Sequence, residues 1–187
     1  MKRYHPVLVT LHWLLAALVV GALLMGGQVL AKMPNTDPDK LFSLQMHMSI
    51  GTVIFVLMIL RLVVRFKTKK PPHADIGNAV LNKGGSLAHY ALYGLVIALG
   101  ASGLAIANAA GLPAIVFGGS GEALPADFND IAPRAAHGVL SLVLKLVIVA
   151  HVLAALYHQY VRKDSLYHQY VRKDSLFSRM WYGDRGT

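Results

Sequence analysis

The sequence predicts an all-α membrane protein: a four-transmembrane-helix bundle with both termini on the cytoplasmic side. Three observations carry that expectation. Hydrophobic residues make up 55% of the 187 residues and charged residues only 14%, where a soluble domain usually carries about a quarter. The apolar residues gather into four runs, each near the length that crosses a bilayer as one helix. Lys and Arg are divided unequally between the segments that join those runs.

The first run, residues 7–31, is interrupted only by Thr10, His12, Trp13 and Gln28. A basic start (Lys2, Arg3) before an apolar stretch also describes a signal peptide. The run is too long for an ordinary signal core, and a His-Trp pair serves no targeting purpose, so it reads as the first span. Trp13 suits the interfacial belt. Residues 32–40 form a polar loop with two prolines. The second run, 41–66, holds His47 near its start, Gly51 one turn later, and Arg61 and Arg65 near its end. Residues 67–87 read as a basic linker. The third run, 89–107, is short and rich in Gly and Ala, which permits close helix packing. Residues 109–132 form a mixed loop whose LPAIVFGG stretch suits the membrane interface. Asp130 is placed to cap the fourth helix, and Pro133 suits its first turn. That helix, read over 130–163, carries His137, Lys145 and His151.

Lys2, Arg3, Arg61, Arg65, Lys67, Lys69, Lys70, Lys83 and the basic residues of the tail fall on one side of the membrane. Lys32, Lys40 and Arg134 fall on the other. The bias places both termini in the cytoplasm and accounts for the net charge of +9 without a nucleic-acid partner. There is no Cys, which excludes disulfides, iron–sulfur clusters, c-type haem attachment and thiolate metal sites. The decapeptide YHQYVRKDSL at 157–166 recurs at 167–176. A period seen twice is no solenoid, and it reads as a local duplication. The chain is thus read as a helical domain, 1–166, and a cytoplasmic tail, 167–187, in which His168 is a poor ligand candidate.

With no Cys, histidine is the remaining strong ligand for haem iron, and the chain has nine. His137 and His151 are fourteen positions apart. That is about 40° short of four full turns, so they share nearly one face, roughly 21 Å apart along the axis. Two imidazoles on one face, one toward each side of a membrane, suit a helix that holds two haems stacked across it. Depths counted from the outer helix ends are roughly 9 Å for His47 and roughly 5 Å for His137, an outer pair. They are roughly 28 Å for His12, 25 Å for His151 and 27 Å for His89, an inner group. Two bis-His haems follow: one on His47 and His137, the other on His12 and His151, with His12–His89 as the alternative inner pairing. His89 otherwise suits a propionate, a quinone or a plain boundary position. Gly51, on the His47 face, leaves room for a porphyrin plane to approach the backbone. Arg61 and Arg65 suit the propionates of the inner haem, or serve only as positive-inside anchors. Lys145 is the anomaly, about 80° round from His137 and about 120° from His151. An intramembrane Lys usually faces a partner or water: here a propionate, a quinone oxygen or a carboxylate. His5 and His73 read as solvated.

Several stretches together resemble the bacterial cytochrome b561 family: LHW at 11–13, HMSIG at 47–51, LRLVVRF at 60–66 followed by Pro71-Pro72, LAHYALY at 87–93 and IALGASGL at 97–104. The fourth-helix pattern DFNDIAPRAAH…AHVLAALYHQYVRKDSL completes the set. The resemblance covers nearly the whole chain. It implies a four-helix inner-membrane cytochrome with two haem b groups, one on His12 and His151 and one on His47 and His137. It also implies electron exchange with membrane ubiquinone and, for some members, oxidation of superoxide from the periplasmic side. Lys145 and the duplicated decapeptide depart from the family's pattern. The outer loops set Lys32, Lys40 and Arg134 against Asp37, Asp39, Glu122, Asp127 and Asp130, so attraction of a superoxide anion has to be local. The expectation is therefore an oxidoreductase embedded in membrane lipid. Its rivals are an electron-transfer subunit that needs a partner protein, and a haem-free transporter using His and Lys145.

Overall fold

In the computed structural model, which describes residues 4–68, 79–157 and 180, the four-span reading holds. Helix α1 (Pro6–Leu24) continues as a π-helical turn, Met25–Leu30. It is followed by α2 (Lys40–Lys67), α3 (Ala79–Ala109), the short α4 (Leu112–Val116) and α5 (Pro133–Leu156). No strand occurs among the described residues. Among the described residues four helices are long and apolar enough to cross a membrane.

Local chemistry explains most boundaries. Pro6 opens α1, where its missing N–H costs nothing. His5 caps the helix, its Nδ1 accepting from Val7 N at 3.3 Å, so it is a capping residue and not merely solvated. Helix α3 starts ten residues before His89, and Lys83, Gly84 and Gly85, expected in a linker, are helical. Hydropathy marks the stretch that lies in lipid, whereas backbone hydrogen bonding carries the helix beyond it. Gly111, at φ 63°, supplies the left-handed turn between α3 and α4. Asp130 does not cap α5. The N-cap is Ala132, without a side-chain bond, and Pro133 occupies the first turn as expected. The nearby carboxylate of Asp127 serves its own loop, accepting from Asn129 N at 2.8 Å.

Helix α1 packs on α2, α2 on α3, and α3 on α5, while α1 and α5 share no extensive contact. All four long helices meet in one apolar cluster: Leu15 and Val19, Ile54 and Met58, Tyr93 and Val96, and Leu144. Leu144 is 1% exposed and stands seven residues from both His137 and His151. The cluster is thus an apolar layer at mid-bundle. A second cluster of Leu44, Ala107, Leu112 and Val116, packed against Leu124 and Phe128, seals the end that carries the interhelical loops. Lys40, read from sequence as an outer surface charge, is 4% exposed. Its Nζ donates to Leu30 O at 2.8 Å and Met33 O at 2.6 Å, satisfying carbonyls left open at the end of the first span. Asn35 Nδ2 donates to Pro125 O at 2.7 Å and ties the two loops together. His73, His158, His168 and the duplicated decapeptide beyond Tyr157 lie outside the described residues.

Candidate functional site

The histidines gather at two levels, one on each side of the mid-bundle layer. At the loop end, His47 of α2 and His137 of α5 face each other, with ring centroids 6.4 Å apart and planes inclined at 74°. Two glycines make room for these rings. A Cβ on Gly26, in the π-helical turn, would stand 3.2 Å from His47 Cε1, and one on Gly103 would stand 3.3 Å from His137 Cε1. His137 Nδ1 lies 3.0 Å from Ser102 Oγ. His47 Nδ1 is buried without a partner. Arg134, one turn before His137, lies within electrostatic range of it.

At the other end, where α1 begins and α5 ends, His89 and His151 are in edge contact at 5.2 Å. His12 lies within electrostatic range of both and of Arg61. His89 Nδ1 is tied to Gly85 O at 2.9 Å. The Trp13 ring stands edge-on to His12 at 5.1 Å, and its Nε1 donates to Met180 O at 3.0 Å. Arg61 donates to Leu8 O, one turn before His12. The Arg61 and Arg65 guanidinium groups lie 5.8 and 5.7 Å from the Tyr93 ring centre, and Arg65 also lies 5.9 Å from that of Tyr90. Arg65 Nε is buried unpartnered, and the buried Tyr93 hydroxyl beside Arg61 forms no well-made hydrogen bond.

The structure therefore brings His47 to His137, and gathers His12, His89 and His151. It puts His89, rather than His12, in direct contact with His151. A Cβ on Gly51 would meet nothing within 4 Å. Lys145 is exposed on α5 and meets neither imidazole group. Ser102, Gly26 and Tyr93 are not singled out by the sequence, whereas Gly103 is one of the small residues of the third run. The one available signal for Ser102 is a hydroxyl beside Gly103 in the middle of the apolar stretch 94–107.

These residues fit a haem. The donors are imidazoles in apolar walls, with no carboxylate beside them among the described residues, which is a donor set for haem iron. The 6.4 Å centroid separation of His47 and His137 admits one metal atom bonded to each ring at about 2 Å. The orphaned Arg65 Nε is a buried polar atom that awaits a partner of the kind a haem propionate supplies. Among the described residues no group of three or more His, Asp or Glu converges to hold a bare metal ion.

A membrane bundle with half-buried imidazoles at two levels of one helix has the architecture of a b-type membrane cytochrome. Residues 3–167 match the model of the prokaryotic cytochrome b561 family. The chain belongs to that family, and is a multi-pass membrane electron-transfer protein of a haem b-binding lineage. It is 30% identical over 167 residues to a probable superoxide oxidase CybB of Yersinia pestis, covering 88% of this chain and 93% of that one. It is also similar to two proteins of Escherichia coli (strain K12). Cytochrome b561 homolog 2 is 27% identical over 87% of this chain and 88% of its own. Cytochrome b561 homolog 1 is 26% identical over 88% of this chain and 94% of its own.

Proposed function

We propose that the protein is a di-haem cytochrome of the inner membrane that passes electrons from a periplasmic donor to membrane ubiquinone. The carrying observation is the pair of imidazole levels on α5 separated by the apolar layer around Leu144. His47 and His137 hold the haem at the loop end. His12 and His151 hold the other, across the side where α1 and α5 share no extensive contact. His89 is too close to His151 to share an iron with it and serves beside the site. Bis-His ligation leaves no open iron position, so each haem supplies one-electron relay and no oxygen binding. Arg61 and Arg65 neutralise propionates at the cytoplasmic end, Gly51 leaves the backbone beside His47 open, and Lys145 offers a cation to a propionate or quinone oxygen.

Superoxide is the proposed donor, on the strength of the name of the Yersinia relative. Two superoxide anions each give up one electron and leave as dioxygen. Ubiquinone takes the two electrons and two protons to become the quinol. Lys40 is committed to carbonyls, so Arg134, close to His137, is the cation that draws the anion in. The basic residues near the termini support a cytoplasmic location for both.

The test is haem counting by pyridine haemochrome, with reduced-minus-oxidised spectra, on wild type, His47→Ala and His12→Ala. Two haems per chain in wild type and one in each variant are expected. No haem in wild type overturns the cytochrome reading, and two haems in a variant overturn that ligand. Superoxide-driven quinol formation by the purified chain is expected next. A di-haem chain that forms no quinol is instead an electron-transfer subunit of a larger complex.

A further inference from the structure

Ser102 stands beside the loop-end imidazole pair, and its hydroxyl makes two contacts there. Oγ lies 2.8 Å from Leu99 O and 3.0 Å from His137 Nδ1. A serine hydroxyl has one proton and two lone pairs. A carbonyl oxygen only accepts, so the proton goes to Leu99 O. Toward His137 the oxygen can then only accept, and Nδ1 must carry a proton. In the neutral imidazole that leaves the lone pair on Nε2.

His47 has no equivalent partner. Its Nδ1 is buried and unbonded, and its ring is confined by the backbone at Gly26, where a Cβ would stand 3.2 Å away. The two facing rings are therefore held differently, one by a directed hydrogen bond and one by shape. Gly103, the next residue after Ser102, lets the His137 ring come in, since a Cβ there would stand 3.3 Å from Cε1. The acceptor is anchored within its own helix through Leu99 O, which itself lies within hydrogen-bond reach of His137, so both oxygens favour a proton on Nδ1.

We propose that Ser102 is the positioning residue of the loop-end haem site. It fixes His137 as the Nδ1–H tautomer, leaves Nε2 as the nitrogen that would bind a metal, and makes His137 the more electron-rich of the two imidazoles. This rests on the reading of His47 and His137 as a ligand pair. An acceptor on the far N–H of a ligating imidazole raises the ligand's basicity, and a more basic ligand favours ferric over ferrous iron.

The experiment is a redox titration of the purified full-length protein, followed by visible absorbance and by the low-spin ferric EPR signals. Wild type, Ser102→Ala, Ser102→Thr and His137→Ala are compared. Ser102→Ala is expected to keep both haems and to make one of them easier to reduce. The expected change is about fivefold in its ferrous-to-ferric ratio at fixed potential, roughly 40 mV at 59 mV per decade. The EPR signal of that haem moves and the other haem is unchanged. Ser102→Thr keeps the hydroxyl, which can still bond a carbonyl of the preceding turn, and restores the wild-type values. Unchanged potentials and EPR in Ser102→Ala overturn the proposal. So do equal shifts, or equal haem loss, in the Ala and Thr variants, because they mark packing and not the hydrogen bond. His137→Ala retaining both haems would instead remove the ligand pair itself, whatever Ser102 does.

Discussion

Helices α2 and α3 come close at Gly100, and one added methyl there creates a conflict that can be measured. A Cβ on Gly100 would lie 2.6 Å from Phe55 Cδ2 and 3.1 Å from both Phe55 Cβ and Cγ. Carbon atoms in contact prefer about 3.5–4.0 Å. The ring can swing away, but Phe55 Cβ is fixed to the α2 backbone, so the two helices have to part by roughly half an ångström. Overpacking of this kind costs about 1–3 kcal/mol. Gly94 on the same helix is the control, because a Cβ there would meet nothing within 4 Å. Gly94→Ala only removes a weak helix former, a gain of up to about 1 kcal/mol. Chemically identical substitutions six residues apart are thus expected to have opposite signs. The assay is equilibrium unfolding of the purified protein in mixed micelles, followed by far-ultraviolet circular dichroism and by visible absorbance. Gly100→Ala should unfold at lower denaturant. It should also release the loop-end chromophore sooner, since α2 carries His47 and Ser102 lies two residues beyond Gly100. Gly100→Ala matching wild type while Gly94→Ala falls below it would refute the packing argument.

Three further outcomes follow from single contacts. Leu144→Ala empties the centre of the mid-bundle layer, where Leu144 is 1% exposed. It should cost about 2–4 kcal/mol in the same unfolding assay without changing haem stoichiometry. Lys40→Met strands Leu30 O and Met33 O, a loss of about 1–3 kcal/mol, seen as faster amide exchange across residues 25–33, whereas Lys40→Arg recovers part of it. Arg65→Gln should cost unfolding only about 0.5–2 kcal/mol, the worth of its cation–π contacts with Tyr90 and Tyr93. It should speed transfer of haem from the site at the terminal end to an apo-globin acceptor, and an unchanged transfer rate would remove Arg65 from that site.

The sequence made legible what is averaged over length. Four spans stand out because each needs about twenty apolar residues, and the two histidine levels follow from the constant rise per residue. Rotation about a helix axis is a different matter. Depth alone put His12, His89 and His151 together but could not say that His89 would touch His151, because neighbours around the axis are set by how α3 and α5 pack. Lys40 was misjudged for a related reason. Its long side chain reaches back to carbonyls at the end of the preceding span, and unsatisfied carbonyls leave no mark in a sequence. Helix α3 began earlier than its apolar run because the helix outlasts the lipid. Asp130 looked like a cap, but the chain enters α5 through Ala132 and Pro133 instead.

The packing order also divides labour among the helices. The proposed ligands come from α1, α2 and α5, whereas α3 lies between α2 and α5 and touches the ligands mainly to constrain them. Where α3 must come close it carries glycine: Gly100 against Phe55 and Gly103 against His137. Where it must direct a ring it carries a hydroxyl, Ser102 on His137. His89, its own histidine, is tied to Gly85 O and so keeps Nε2 free beside His151. Substitutions on α3 should therefore change the potential, spectrum or retention of a haem while leaving two haems bound. Loss of His12, His47, His137 or His151 should remove one. An α3 substitution such as His89→Ala that cost a whole haem with the helix intact would break this division and move α3 from scaffold to ligand.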